Sequence, residues 1–595
     1  MTISSTDRLI ELLELRRTTL QDLDGTGRML VTNDETGSAQ LYEISPDGQW
    51  RQLTDLGEPC SGRYLPGTRS VVVSADTGGT ERAQLSLLRI CEQGLGELSP
   101  LVHDPAYIHA LFDVRDDVVV YATNRRDGVE FDVIERRVSD GTERVLFDGG
   151  GYFDSAVPSP DGRWVLLSRM TTIAASSELL LVDTASGAVR SITDPGAPGA
   201  WDNPKWLADS SGLLASTDTH TDFFAVHRYD VEAATWSSFL GEDGVNLFVW
   251  PAPAGDRLAV VRTVDGIDSL TIRDAGGDHP VELPGQGVLT SRTRLAWSPD
   301  AAVFGFTFSS MVQPPEVHTW QPGDTAARRR TTSNPAEATA GLVDLSSHLV
   351  PTPDGEQIPT YLLRPEHADG SAVLIIHGGP EAAVVATWSP VAAALALAGH
   401  TVLLPNVRGS AGYGRRWVSL DDIDKRLDSV ADLVALRDWL PSVGVDTDRV
   451  ALYGGSYGGY MVLAGLAYYP ELWAAGVDIV GVSSLVTFLQ NTSAYRRAYR
   501  EREYGRLVED RDLLEQASPF NRIDAIRAPL FVIHGANDPR VPLSEAEQVV
   551  AAVRASGADC PFLVYDDEGH GLAKRANQLD AYPQVIEFLA KHLAR

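Results

Sequence analysis

The chain has 595 residues, enough for more than one core, and 43% hydrophobic against 22% charged residues places it among soluble globular proteins, neither disordered nor fibrous. A formal net charge of −31 repels phosphate backbones and anionic lipid, so nucleic acid and membrane surfaces are excluded as partners by expectation. Three scattered cysteines, Cys60, Cys91 and Cys560, form no paired motif, which argues against a disulfide framework and against a zinc site.

The first 24 residues carry Leu9, Ile10, Leu12, Leu13 and Leu15 among charges, an amphipathic helix expected to pack on a later part of the chain. It lacks the basic start and unbroken apolar run of a signal peptide, and no later segment is apolar for some eighteen residues, so a cytoplasmic protein is expected.

Residues 25–335 repeat one theme: a turn of Pro, Asp, Gly or Ser, then a β-branched or aromatic run. "SPDGRWVLLSRM" at Ser159, "WLADSSGLLAST" at Trp206, "WPAPAGDRLAVV" at Trp250 and "WSPDAAVFGFTF" at Trp297 are clear copies, with weaker ones near Gly25, Pro66 and Arg115. A spacing of roughly 40 to 50 residues predicts a β-propeller of about seven blades, with an elongated pair of β-sandwiches as the competing architecture. The recurring tryptophans are expected between blades.

Residues 336–595 change grammar. "AVLIIHGGP", "HTVLLPNVRG", "RVALYGGSYGG", "AAGVDIVGVS" and "APLFVIHGANDP" are short buried strands ending in glycine-rich or polar turns, alternating with helix-period stretches. That alternation predicts a mainly parallel sheet covered on both faces, with functional groups at the carboxyl ends of its strands.

Gly454-Gly455-Ser456-Tyr457-Gly458 fits G-x-S-x-G between a strand and a helix, the turn that exposes a serine hydroxyl over a helix N-terminus. A serine needs a base, and the base needs an orienting acid. Of the three later histidines, His592 falls in the terminal helix and His534 at a strand end, which leaves His570 in "DDEGHGL" as general base. Asp538 in "GANDPRVP" is the expected acid, ahead of Asp566, Asp567 and Glu568, which share the histidine's own loop. Backbone N–H groups of Tyr457 and of Gly378 or its neighbour Gly379 would form the oxyanion hole. No metal or organic cofactor is called for.

Together "HGGP", "PNVRGSAGYG", "GGSYGGY", "HGANDPRVP" and "DEGHG" resemble the prolyl oligopeptidase family of serine peptidases, and most closely its acylaminoacyl-peptidase-like branch. The resemblance implies an α/β-hydrolase domain under an N-terminal propeller, Ser456, Asp538 and His570 as the triad, and Gly378 and Tyr457 as oxyanion donors. It also implies that Arg540 holds a substrate carbonyl, and that the region of Val482, Phe488, Leu489 and Tyr495 contributes a specificity pocket, with core packing the equal alternative. Family members with prolyl or dipeptidyl specificity have tyrosine where this chain has His377, and the dipeptidyl peptidases hold a free amino terminus with paired glutamates; no Glu-Glu dipeptide occurs here. The implied substrate is a short peptide, with a small aminoacyl amide or ester and an inactive binding scaffold as alternatives. An exposed propeller edge leaves homo-oligomerisation open.

Overall fold

The computed structural model describes residues 5–290 and 294–594. Seven antiparallel sheets built from consecutive strands precede one large mixed sheet. The first strands of the seven are Thr18–Leu23, Cys60–Leu65, His109–Arg115, Phe153–Pro158, Trp201–Trp206, Asn246–Pro251 and Val288–Thr290. The first strands of several neighbouring blades touch, the other neighbours meeting through a first strand and the adjoining sheet, while fourth strands such as Thr235–Leu240 are largely exposed, so each sheet is a blade with its first strand innermost. This is a seven-bladed propeller, and the sandwich alternative is set aside. Every repeat read in the sequence falls on the turn between the first and second strands of a blade, except that in the seventh the Trp297 turn follows the separate short strand Ala296–Trp297 and leads into Phe304–Ser310.

The tryptophans lie between blades: Trp206 Nε1 donates to Val157 O at 2.9 Å, and Trp297 Nε1 donates to Trp250 O at 2.9 Å. The ring joint differs from the closed form in which two chain ends share a blade. Thr18–Leu23 pairs within its own sheet, and the joint with the seventh blade rests on packing of Leu20, Leu23 and Val31 against Val317, plus a 2.8 Å hydrogen bond from Leu20 N–H to Thr307 Oγ1. Leu20 is fully buried there and contributes roughly 2 kcal/mol.

The large sheet has eight strands: β1 (Ser346–Pro351), β2 (Gln357–Leu363), β3 (Ala372–Ile376), β4 (Thr401–Pro405), β5 (Val450–Gly455), β6 (Ala475–Ile479), β7 (Leu530–Gly535) and β8 (Phe562–Tyr565). Their spatial order is β1-β2-β4-β3-β5-β6-β7-β8, parallel from β4 to β8. Strand alternation splits the core in two: Leu374, Leu403, Leu452 and Val532 face one helical layer, while Val373, Val402, Ala451 and Phe531 face the other. Central strands buried on both faces read as unbroken apolar runs for that reason.

Helix Ser5–Leu13 buries Leu9, Leu12 and Leu13, one stripe at helical spacing. It packs on helices Pro390–Leu397 and Arg575–His592 of the hydrolase half, and the chain then enters the first blade at Thr18.

Candidate active site

Ser456 stands between β5 and helix Tyr457–Tyr468 with φ 58° and ψ −118°, a conformation that costs a residue with a side chain on the order of 1–3 kcal/mol. Its surroundings hold it there. A Cβ on Gly454 would overlap the Gly458 backbone, one on Gly458 would overlap Ile376 O at the end of β3, and one on Gly459 would overlap the Asp478 carboxyl. Gly455 is different, since its nearest neighbour beyond the chain would be Ile479 O at 3.7 Å. Close approach therefore demands glycine on three of the four positions. Ser456 N–H donates to Ile479 O at 2.8 Å, tying the turn to β6.

Asp538 lies on the loop after β7, and His570 on the loop after β8. His570 Nδ1 is 2.7 Å from Asp538 Oδ2, and its Nε2 is 2.9 Å from Ser456 Oγ. With Nδ1–H donating to the carboxylate, Nε2 is left as the acceptor facing the serine hydroxyl. The other Asp538 oxygen accepts from the N–H groups of Arg540, at 2.8 Å, and Val541, at 3.0 Å. His534 is fully buried, donates from Nε2 to Val541 O at 2.9 Å, and burial lowers its pKa. It backs the acid loop. Glu568 is buried too, but its carboxylate accepts from Ala573 N–H at 3.0 Å and Lys574 N–H at 2.9 Å, so it shapes the loop and does not meet the imidazole. Asp567 pairs with Lys574 at 2.9 Å.

Gly378 is pressed on Ser456: a Cβ there would sit 3.4 Å from Ser456 Cβ and 3.3 Å from Gly455 O. His377 is turned into the protein, with Nδ1–H donating to Gly378 O at 2.7 Å and Nε2 2.7 Å from Ser410 Oγ; burial lowers its pKa. Tyr457 points its phenol away from the serine, donating to Asp421 Oδ2 at 3.0 Å, which leaves only its backbone at the helix N-terminus beside Ser456.

Beneath the site Arg426 is 1% exposed and its guanidinium contacts the carboxylates of Asp421 and Glu503. It also lies 4.8 Å from the Tyr504 ring centroid. Asp421, Asp422 and Glu503 are the one trio of potential metal ligands found close together among the described residues, and Arg426 supplies the cation to two of them. Burial pushes the Asp421 carboxyl up to about 7 despite that cation.

The propeller reaches this site. Arg540 Nε donates to Glu81 Oε1 at 2.5 Å, with Arg496 Nη1 3.9 Å from the same carboxylate. Thus the arginine's salt bridge crosses to the second blade and is not internal to its loop. Asn537 Nδ2 donates to Gly78 O at 2.9 Å, and Gly79 lies backbone to backbone on Gly569. Nothing in the sequence around Glu81 marks it, because its hydrogen-bond partner Arg540 is 459 positions downstream.

The four apolar candidates do not meet in one pocket. Val482, Phe488 and Leu489 are buried in the hydrolase core, with Phe488 edge-on to Tyr504 at 5.8 Å. Tyr495 belongs to a separate cluster with propeller residues, 5.8 Å from the Phe131 ring and stacked 6.4 Å from Tyr152. There it lines an apolar pocket of about 200 Å³ with Ile108, Phe112 and Phe153, and Glu81 at its edge.

A strained serine over a helix N-terminus, hydrogen-bonded in series to a histidine and a carboxylate and roofed by a propeller, defines a two-domain α/β-hydrolase architecture. Residues 387–595 match the prolyl oligopeptidase family (Peptidase_S9), and the chain carries that family's domain. It is 36% identical over 257 residues to dipeptidyl aminopeptidase BIII of Pseudoxanthomonas mexicana, covering 40% of this chain and 37% of that protein. It is 27% identical over 263 residues to the acylamino-acid-releasing enzyme of Mus musculus, covering 41% and 36%. The chain thus aligns with little more than a third of these relatives' length. Over the whole fold it superposes on a puromycin hydrolase crystal structure with a TM-score of 0.86 at 20% identity, covering 99% of this chain and 96% of that one. No helix among the described residues is long and apolar enough to cross a membrane.

Proposed function

We propose that the protein is a serine peptidase that hydrolyses amide bonds of short peptides through an acyl-enzyme. The observation that carries this reading is the unbroken hydrogen-bond series Ser456 Oγ, His570 Nε2, His570 Nδ1, Asp538 Oδ2, at 2.9 and 2.7 Å. Ser456 Oγ attacks the scissile carbonyl carbon while His570 Nε2 takes its proton, and Asp538 stabilises the imidazolium. The N–H groups of Tyr457 and Gly378 face the developing oxyanion, each such donor being worth about 10²–10³ in rate. The imidazolium then gives its proton to the leaving amine as the C–N bond breaks. Water attacks the acyl group by the same route, and the carboxylic product leaves.

Arg540, held by Glu81, is read as the group that fixes a substrate carbonyl; of the four apolar candidates, Tyr495 is read as a specificity residue and the other three as packing of the hydrolase core. Contacts between the second blade and the His570 loop support a propeller that limits substrate size. A serine-directed fluorophosphonate tests the core of the reading: wild type labels and Ser456→Ala does not. Absence of wild-type labelling would remove the basis of the assignment.

The second reading, an amidase or esterase for a small aminoacyl conjugate, is favoured by the whole-chain likeness to a puromycin hydrolase. Parallel assays on peptides, free and N-acylated aminoacyl anilides, and esters separate the two. Ester turnover with no amide turnover would sink the peptidase reading.

A further inference from the structure

Glu381 lies three residues after Gly378 on the loop that follows β3, and that loop is tight. A Cβ on Gly379 would come 2.9 Å from Ala382 N and 3.0 Å from Glu381 N, and Ala382 N–H donates to Pro380 O at 2.6 Å. One end of the turn presses on Ser456 through Gly378, and the other carries the Glu381 carboxylate, so a shift at one is felt at the other. Both carboxylate oxygens are held. Oε1 accepts from Ala175 N–H of the fourth blade at 2.5 Å, and Oε2 accepts from Arg502 Nη2 at 3.1 Å.

Arg502, its side chain only 3% exposed, turns its other arm to the same blade: Nη1 donates to Thr171 O and Ser176 O, both at 3.0 Å, and to Ile173 O at 3.3 Å. Residues 171–176 connect that blade's second strand to its third. Thr171 N–H closes the connection on Ser176 O at 3.1 Å, and Ala175 takes φ 48°, a left-handed conformation that sterics disfavour for a residue with a side chain. The hydrolase half backs the pair too. Arg502 stands on helix Ala494–Tyr504 beside Glu503, which contacts Arg426, and Arg426 with Asp421 leads to the Tyr457 phenol on the helix that follows Ser456. Burial opposes a charge on Glu381, yet Arg502 and a hydrogen bond from Glu503 hold its carboxyl below the ordinary carboxylate pKa. Desolvation offsets most of the attraction within a buried ion pair, so stability alone does not account for this one.

We propose that Arg502 and Glu381 are positioning residues for the oxyanion hole: their ion pair, seated on residues 171–176 of the propeller, fixes where the Gly378 N–H stands beside Ser456. Neither side chain meets the reacting atoms. The inference rests on the proposed acyl transfer and adds a propeller loop to the support of the donor. An oxyanion donor acts over about 2.7–3.1 Å, and a displacement of about 1 Å set off by a distant substitution can cost about 10²-fold in rate. Loosening this pair is thus expected to slow acyl transfer with Ser456, His570 and Asp538 still hydrogen-bonded in series.

The test is the second-order rate of labelling by a fluorophosphonate, measured against pH on the full chain and corrected for the folded fraction. In that reaction Ser456 Oγ displaces fluoride from phosphorus, His570 takes the hydroxyl proton, and the phosphoryl oxygen lies in the oxyanion hole. Glu381→Gln removes the charge and keeps the shape, while Arg502→Lys keeps the charge without the fork that reaches both partners. Each is expected to lower the plateau rate at least about 10-fold, with the apparent pKa of the profile, set by His570, moved by no more than about 0.3. Because the two residues act as one unit, the double variant should label within about 3-fold of the slower single variant. Glu381→Asp, one methylene shorter, serves if Glu381→Gln does not fold, with the same expectation. Variants that melt earlier but label at the wild-type rate would reduce the pair to a structural tie and overturn the proposal. A displaced pH profile would overturn it too, by putting the damage at His570 and Asp538. If wild type itself did not label, the acyl-transfer reading would fall and this inference with it; normal labelling of wild type and variants alike sinks the inference alone.

Discussion

Gly569, the residue before His570, rests its backbone on that of Gly79 in the second propeller blade, leaving no room for a Cβ on either. Gly569→Ala is therefore expected to displace the His570 loop and lower kcat/KM at least 10-fold, with a parallel loss in the rate of Ser456 labelling. Gly25→Ala, where nothing lies within 4 Å, is the control and should change neither. Equal activity of the two variants would show that the interface does not hold the imidazole.

Asp538→Asn keeps the shape of the acid but presents an amide where the imidazole Nδ1–H needs an acceptor. Labelling and turnover should fall by about 10³–10⁴, the scale set by losing the correct tautomer in such a series. Glu568→Gln should instead lower the melting temperature, since its buried carboxylate holds two backbone N–H groups of the neighbouring turn. If the two variants exchanged phenotypes, the acid would have to be reassigned.

Glu81→Gln removes the charge that holds Arg540 from across the domain boundary. With Arg540 42% exposed the stability change should be under about 1 kcal/mol. The expected kinetic signature is a several-fold rise in KM with a smaller change in kcat, measured on a peptide anilide. A pure kcat effect would contradict a role in placing the substrate.

Arg426→Ala strands the buried carboxylates of Asp421 and Glu503 and should destabilise the fold by about 3–5 kcal/mol in chemical denaturation. Arg426→Met, apolar and of similar length, should be milder. Equal stability of wild type and the alanine variant would mean that the cluster is solvated.

Asp478, fully buried below the Ser456 turn, has its pKa raised to about 7 by burial. A carboxyl raised in the folded state binds its proton more tightly there than in the unfolded chain, so its effect is a loss of stability as pH rises from about 4 to 7. Three pH units of displacement correspond to roughly 4 kcal/mol. Asp478→Asn should flatten the decline of melting temperature between about pH 4 and 7. An unchanged slope would place the titration elsewhere.

Much of the architecture was legible because it is periodic. The Ser159, Trp206, Trp250 and Trp297 segments announce a repeated hairpin whose turn must recur wherever an inner strand meets its neighbour. The strands ending at Ile376, Gly455 and Gly535 are apolar but for His534 because both faces are covered. Local chemistry singled out Ser456, since only a glycine-rich turn can carry a serine at φ 58° with neighbours this close. The same reading treated Val482, Phe488, Leu489 and Tyr495 as one region because they are near in sequence. Helix Ala494–Tyr504 carries Tyr495 off to the propeller, while the other three stay in the hydrolase core.

The sequence by itself determined which residues could do acyl-transfer chemistry and which strands and turns would bear them, because those properties depend on side-chain type and short-range spacing. Only the tertiary structure decided who meets whom across the domain boundary. Glu81 finds Arg540, Gly79 finds Gly569, and Arg502 and Glu381 close on Thr171 and Ala175. Those contacts join residues hundreds of positions apart, and their energies depend on distance and burial, which no local pattern encodes.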